Sequence, residues 1–171
     1  MADKKTVQDL LSDEIKDLYS AEKQLTKAIP KMAKGANDEN LQAAFTSHLK
    51  ETEKQVRRLE QVAETLAISL RGKKCIGMEG CIGEGAEALE EEGDVNVLDL
   101  GLIGAGTRVE HYEMAGYMTA ISLAQRLGSS DVVELLKASL AEEQAADQKL
   151  RTIGAQLLKS APTEATAQSG A

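Results

Sequence analysis

The sequence predicts an all-α fold: an up-down bundle of four long helices, with an extra short helix in the connection between the second and third. Three observations predict it. Apolar residues recur at alternating spacings of three and four through four long segments, the pattern of a bundle seam. Aromatic residues make up 2% of the 171 and Trp is absent, so the core must be Leu, Ile, Val, Ala and Met, which suits helices better than a β-sandwich. Glycine, Asn, Asp and Ser cluster between the segments, where turns and caps need them. The length suits one domain, expected over residues 1–159, with a small, polar and disordered tail over 160–171.

The first helix is expected to start near Thr6, which forms a capping box with Asp9. Its stripe is Val7, Leu11, Ile15, Leu18, Glu22, Leu25 and Ile29, and Glu22 interrupts it. Pro30 should kink the last turns. Gly35 to Asn40 form the turn, with Asn37 or Asp38 as the next cap. The second helix is expected from about Asn40 to Leu70, along Leu41, Phe45, His48, Thr52, Gln55, Leu59, Val62 and Leu66. His48 lies in that seam and Glu51 at its edge, one turn on.

Arg71 to Lys74 break the pattern. A shorter helix follows along Cys75, Met78, Ile82, Ala86 and Leu89, ending at the solvated Glu90-Glu91-Glu92 and stopped by Gly93. Asp94 or Asn96 caps the third long helix, expected over Val97 to Leu127. Gly101, Gly104, Ala105, Gly106, Ala115 and Gly116 would let a neighbour approach it closely. Its stripe passes from Ile103 and Gly106 through Glu110 and Glu113 to Tyr117, Ala120, Ala124 and Leu127. After Gly128-Ser129-Ser130, Asp131 opens the fourth long helix, with Val132, Leu136, Leu140, Glu143, Asp147, Leu150, Gly154 and Leu157 in its seam. Glu142 and Glu143 are adjacent, so one faces out; the spacing to Asp147 selects Glu143 as the inner one.

All four long helices therefore carry carboxylate or imidazole groups at mid-seam. A buried unpaired carboxylate costs several kcal/mol or must protonate. A bundle core that gathers carboxylates from facing helices can bridge two metal ions with them. The candidate ligands are Glu22, His48, Glu51, Glu110, Glu113, Glu143 and Asp147. Hard oxygen donors with one imidazole suit two iron ions, with manganese second. The competing reading is a plain acidic bundle with these charges facing solvent.

The remaining features exclude more than they assign. The net charge of −8 argues against nucleic-acid binding and against anionic membranes. The N-terminus lacks an apolar signal region and no run reaches transmembrane length, so a cytoplasmic protein is expected. Cys75 and Cys81 are six apart, a spacing of no zinc or redox motif, and would point to different sides of a helix. Cys75 falls on an apolar stripe as a small buried hydrophobe.

The segments DLYSAEKQL, HLKETEKQVRRLEQV, KCIGMEG, RVEHYEMAGY and LLKASLAEEQAADQKL resemble the YciE/YciF-type stress proteins of the ferritin-like superfamily, from about residue 6 to 158. The resemblance implies a rubrerythrin-like bundle, a dinuclear metal site usually taken as iron, and a homodimer. It places Glu22, Glu51, Glu110, Glu113 and Glu143 where the superfamily has its helix carboxylates. The usual Glu-x-x-His of the second and fourth helices is altered. Here the second has His48-x-x-Glu51, in reverse order, with Lys54 at the His position; the fourth has Glu143-x-x-x-Asp147, with Ala146 there. The expected function is reduction of peroxide or O2 at the centre in stress protection, with Tyr19 or Tyr112 as a source of a proton or an electron. The alternative is a non-catalytic bundle acting through assembly or a partner, its metal structural or sequestered. Storage in a closed cage stands third, because no residue pattern specifies a shell.

Overall fold

Each predicted seam folds as a helix in the computed structural model, which describes residues 5–163. The elements are α1 (Val7–Gly35), α2 (Glu39–Leu66), α3 (Ile76–Ala88), α4 (Val95–Arg126) and α5 (Ser130–Leu157). From residue 164 on, the expected disordered tail lies outside the described residues.

The helix ends follow local chemistry. Thr6 and Asp9 form the predicted capping box: the Asp9 backbone N–H donates to Thr6 Oγ1 at 3.1 Å and the Thr6 N–H to Asp9 Oδ2 at 2.8 Å. Helix α1 runs on through Pro30 to Gly35. Asp38 and Asp94 are the side-chain caps of α2 and α4. Cys75 is the N-cap of α3 rather than a residue of its stripe. Within α3, Gly85 is buried and Ala86 exposed, so the apolar face is shifted by one residue from the predicted one.

Helix α2 stops four residues before the expected Leu70. Ala67 adopts a left-handed conformation (φ 53°), its N–H reaching the Glu64 carbonyl and that of Ile68 the Ala63 carbonyl. That is a Schellman ending. The chain then turns Ile68 and Leu70 back onto the core. Gly128 (φ 72°) closes α4 by the same pattern. At Ala67 the Cβ makes this conformation costly. Ala67→Gly is expected to raise stability by about 0.5–1 kcal/mol, read from the urea midpoint.

Side-chain contacts give the helix directions. Asp99 reaches Asn37 while Gly116 meets Leu18, so α1 and α4 are antiparallel. Arg58 reaches Ser139 while His48 faces Glu143, so α2 and α5 are antiparallel. Helices α1 with α2, and α4 with α5, form the other two packed pairs. The diagonal helices α2 and α4 run in the same direction, which requires the long crossover that carries α3 over α1 and α4. Close approach is confirmed at two of the small residues. A Cβ on Gly116 would lie 2.8 Å from Leu18 Cδ2, and one on Gly106 would lie 3.0 Å from Leu150 Cδ1. At Gly101 it would meet nothing nearer than 4.0 Å.

Asp99 is a buried acid four residues before Ile103, on the same inner face of α4. Its carboxylate accepts from the backbone N–H groups of Asn37 (2.8 Å) and Asp38 (2.6 Å) and from Asn37 Nδ2 (3.1 Å). It thereby ties the α1–α2 turn to α4. Asp99→Ala should cost about 2 kcal/mol of stability in chemical denaturation, because these donors lose a charged acceptor.

The core is divided. One apolar cluster gathers Leu25, Ile29, Leu41, Phe45, Ile103 and Leu150. The other gathers Leu11, Leu18, Leu59, Ala120, Val132 and Leu136. The polar seam residues (Glu22 on α1, His48 on α2, Glu110 and Glu113 on α4, Glu143 on α5) lie between the two.

Candidate metal centre

The polar layer begins with residue spacing. Glu110 and Glu113 are three apart on α4 and share its inner face; one turn on, Tyr117 continues it. Glu22 enters from α1, Glu143 from α5, and His48, Thr52 and Gln55 from α2. Glu22, Glu113 and Glu143 are 0% exposed, Glu110 3% and His48 6%. One ligand atom from each of His48, Glu110, Glu113 and Glu143 falls within a common 4.8 Å, so this cluster could hold a metal ion. His48 Nε2 lies 3.3 Å from Glu110 Oε1 and 3.6 Å from Glu143 Oε2.

Few protein donors meet these groups. Tyr117 donates its hydroxyl to Glu22 Oε1, and Gln55 donates Nε2 to Glu143 Oε1. Seven buried polar atoms have no hydrogen-bond partner among the described residues: Glu22 Oε2, His48 Nε2, Gln55 Oε1, Glu110 Oε2, both oxygens of Glu113, and Glu143 Oε2. Burial first, then the neighbouring carboxylates, pushes the Glu22, Glu110 and Glu113 carboxyls well above the usual range. Burial, then Glu22, Glu113 and Glu143, raise the Tyr117 hydroxyl. Burial opposes the charged form of His48, but its hydrogen bond to Glu51 and the nearby Glu143 outweigh that and raise its pKa.

The other two candidates stand at the edge of the layer. Glu51, its side chain 36% exposed, lies 3.4 Å from His48 Nδ1, on the ring face turned away from the cluster. That hydrogen bond holds the Glu51 carboxyl below its ordinary value. Asp147 is buried but engaged by Arg151 Nε at 2.9 Å and His111 Nε2 at 3.2 Å. Glu143 is the inner acid of its pair, as the Asp147 spacing indicates. Glu142 turns outward to a two-pronged contact with Arg58, at 3.0 and 3.1 Å, whose Nη1 also donates to Ser139.

The tyrosine at the cluster is neither of the two expected. Tyr19 donates to Glu60 on the outside. Tyr112 donates to Asp17 at 3.1 Å and lies 3.0 Å from Cys75 Sγ, beside α3. Tyr117 alone of the three touches a cluster acid among the described residues. The available signal was its place in the Glu110/Glu113 stripe. Gln55 had the same kind of signal, as an amide in the second seam. Cys75 is fully buried as expected, and both cysteines are free.

Comparison with known proteins agrees with this architecture. Residues 6–162 match the family described as Domain of unknown function (DUF892). The chain is 44% identical over 147 residues to Protein YciF of Escherichia coli strain K12, covering 85% of this chain and 89% of that protein. The crystal structure of YciF, described as an E. coli stress protein, superposes with a TM-score of 0.89 at 40% identity, covering 92% of this chain and all (100%) of that one. YcfI from Rhodopseudomonas palustris superposes with a TM-score of 0.84 at 43% identity, over 88% of this chain and 96% of that one. A protein from Xanthomonas campestris pv. campestris shares the fold at 18% identity, with a TM-score of 0.72 over 91% of this chain and 95% of that one. Among the described residues no helix is long and apolar enough to cross a membrane. With its helices, its crossover and nearly its whole length accounted for by these relatives, the chain belongs to the DUF892 family of helical-bundle proteins.

Proposed function

We propose that the polar layer holds a carboxylate-bridged pair of iron ions, with manganese as the second choice, and supports peroxide- or O2-linked redox chemistry in stress protection. The carrying observation is the set of seven buried polar atoms without a hydrogen bond among the described residues, all on residues of one layer. A folded core leaves such atoms without partners only where something else satisfies them. Four buried carboxyls and one imidazole form a hard, oxygen-rich donor set, which fits iron or manganese. Two such ions, when bound, supply the positive charge that balances four carboxylates and the redox couples that peroxide reduction draws on. His48, Glu110, Glu113 and Glu143, with Glu22 from the facing helix, would hold them. The stress role draws on the description of YciF.

The remaining residues position this set. Glu51 fixes the His48 ring so that Nε2 faces Glu110 and Glu143. Gln55 orients Glu143, and Tyr117 holds a proton at Glu22 Oε1. The two apolar clusters flank the layer along the bundle.

Elemental analysis of untagged protein, never exposed to chelator, tests the reading. About two iron or manganese ions per chain are expected in the parent, and loss of them in Glu110→Ala. Peroxide should then change the absorbance of the loaded parent. Bound metal without any peroxide response supports the non-catalytic reading with its metal structural or sequestered, and metal in neither protein leaves only a non-catalytic acidic bundle acting through assembly or a partner.

A further inference from the structure

We propose that the cavity between α1, α3 and α4 binds a fatty monocarboxylate, with its chain inside and its head group at Lys27 and Lys31. The cavity has a volume of about 360 Å³, within the range of small-molecule sites. Leu25, Ile29 and Met32 of α1, Ile82 of α3 and Leu89 just past its end form its walls. Phe45, His48 and Glu110 form its floor, so it ends at the polar layer. Hydrocarbon walls of this size favour an apolar chain over water.

The mouth supplies the second half of the argument. Lys27 and Lys31 lie one turn apart on the exposed side of α1 and line the cavity. Neither has an ion-pair partner among the described residues. Lys74 completes the rim and pairs with Glu79. In a chain of net charge −8, cations gathered at the entrance of an apolar cavity select an anionic head group. A second cavity of about 230 Å³ reaches Phe45, His48 and Glu110 from the α2–α5 side, past Ser47, Glu51 and Lys149. With Ser47, Glu51 and Lys149 in its lining, it is the more polar of the two cavities. Binding of the carboxylate stands independently of the metal reading.

Calorimetric titration of the full chain, metal-free and metal-loaded, with octanoate, decanoate and dodecanoate tests the proposal. Affinity should rise about fourfold per added methylene until the cavity is filled. Lys27→Gln with Lys31→Gln should weaken decanoate about fivefold and leave decan-1-ol unchanged. Ala28→Phe, which fills the cavity from α1, should abolish binding of both, with circular dichroism confirming the fold. If that variant does not fold, Ala86→Phe at the mouth replaces it. The proposal is overturned if decanoate does not bind, if chain length has no effect, if the alcohol binds as tightly as the acid, or if a filled cavity still binds. Decanoate binding to protein that takes up no metal would sink the metal reading and leave this one standing.

Discussion

Stripped of metal, the protein is expected to lose stability as pH rises from about 5 to about 8. Glu22, Glu110 and Glu113 have folded pKa values raised above their ordinary value of 4.5, by burial first and by their neighbours second. Over this window the native state therefore keeps protons that the unfolded chain has released. The stabilisation is complete below the unfolded value and is lost as pH climbs through the folded ones. His48 acts in the same sense, because its folded pKa is also raised. Each such group contributes a slope of about 1.4 kcal/mol per pH unit between its two pKa values. Glu51 is shifted the other way, so its contribution fades only below this window. Metal reverses the trend, since it binds the deprotonated carboxylates and its affinity rises with pH. Urea melts at several pH values, with chelator and with excess iron or manganese, read both slopes. A flat profile for the chelated protein would mean that water reaches the acids, against the burial described above.

Glu113→Met should stabilise the metal-free protein by about 1–4 kcal/mol while removing its metal. Both Glu113 oxygens are buried without a partner, and its side chain is fully enclosed. An unbranched thioether occupies similar space and leaves no polar atom unsatisfied. The same substitution should reduce the pH slope of the chelated protein by about 1.4 kcal/mol per unit. Opposite signs for stability and metal content are what a site selected for ligation predicts, and what a structural acid does not. Denaturation midpoints with elemental analysis of the same samples decide it. A metal-free Glu113→Met less stable than the parent would show that the carboxyl is satisfied by the fold itself.

Periodicity was enough to find the helices and to phase the four long ones, but not α3. Glu22, His48, Glu110, Glu113 and Glu143 were assigned to seams from spacing alone, and all five are buried. Asp147 is buried too, yet its contacts are with Arg151 and His111. Glu51 belongs to the edge its spacing indicated, and it meets His48 from outside. The α2 end was missed because a left-handed alanine carries none of the glycine signal that marks such endings.

What the amino-acid order determined by itself is each helix's own geometry. At 3.6 residues per turn a face follows from spacing, and a cap or turn follows from a few neighbouring side chains. The fold class, the split of each long seam by carboxylate or imidazole groups and the choice of Glu143 over Glu142 all rest on such local relations. The tertiary structure decided which groups meet. Glu22 with Tyr117, and Asp99 with the α1–α2 turn, bring together residues 95 and 62 positions apart. Periodicity within one helix carries no information about its axial slide against another. Packing sets that slide, and with it the choice of Tyr117 over Tyr19 and Tyr112, the contact of Gln55 with Glu143, and the cavity that opens between α1 and α3.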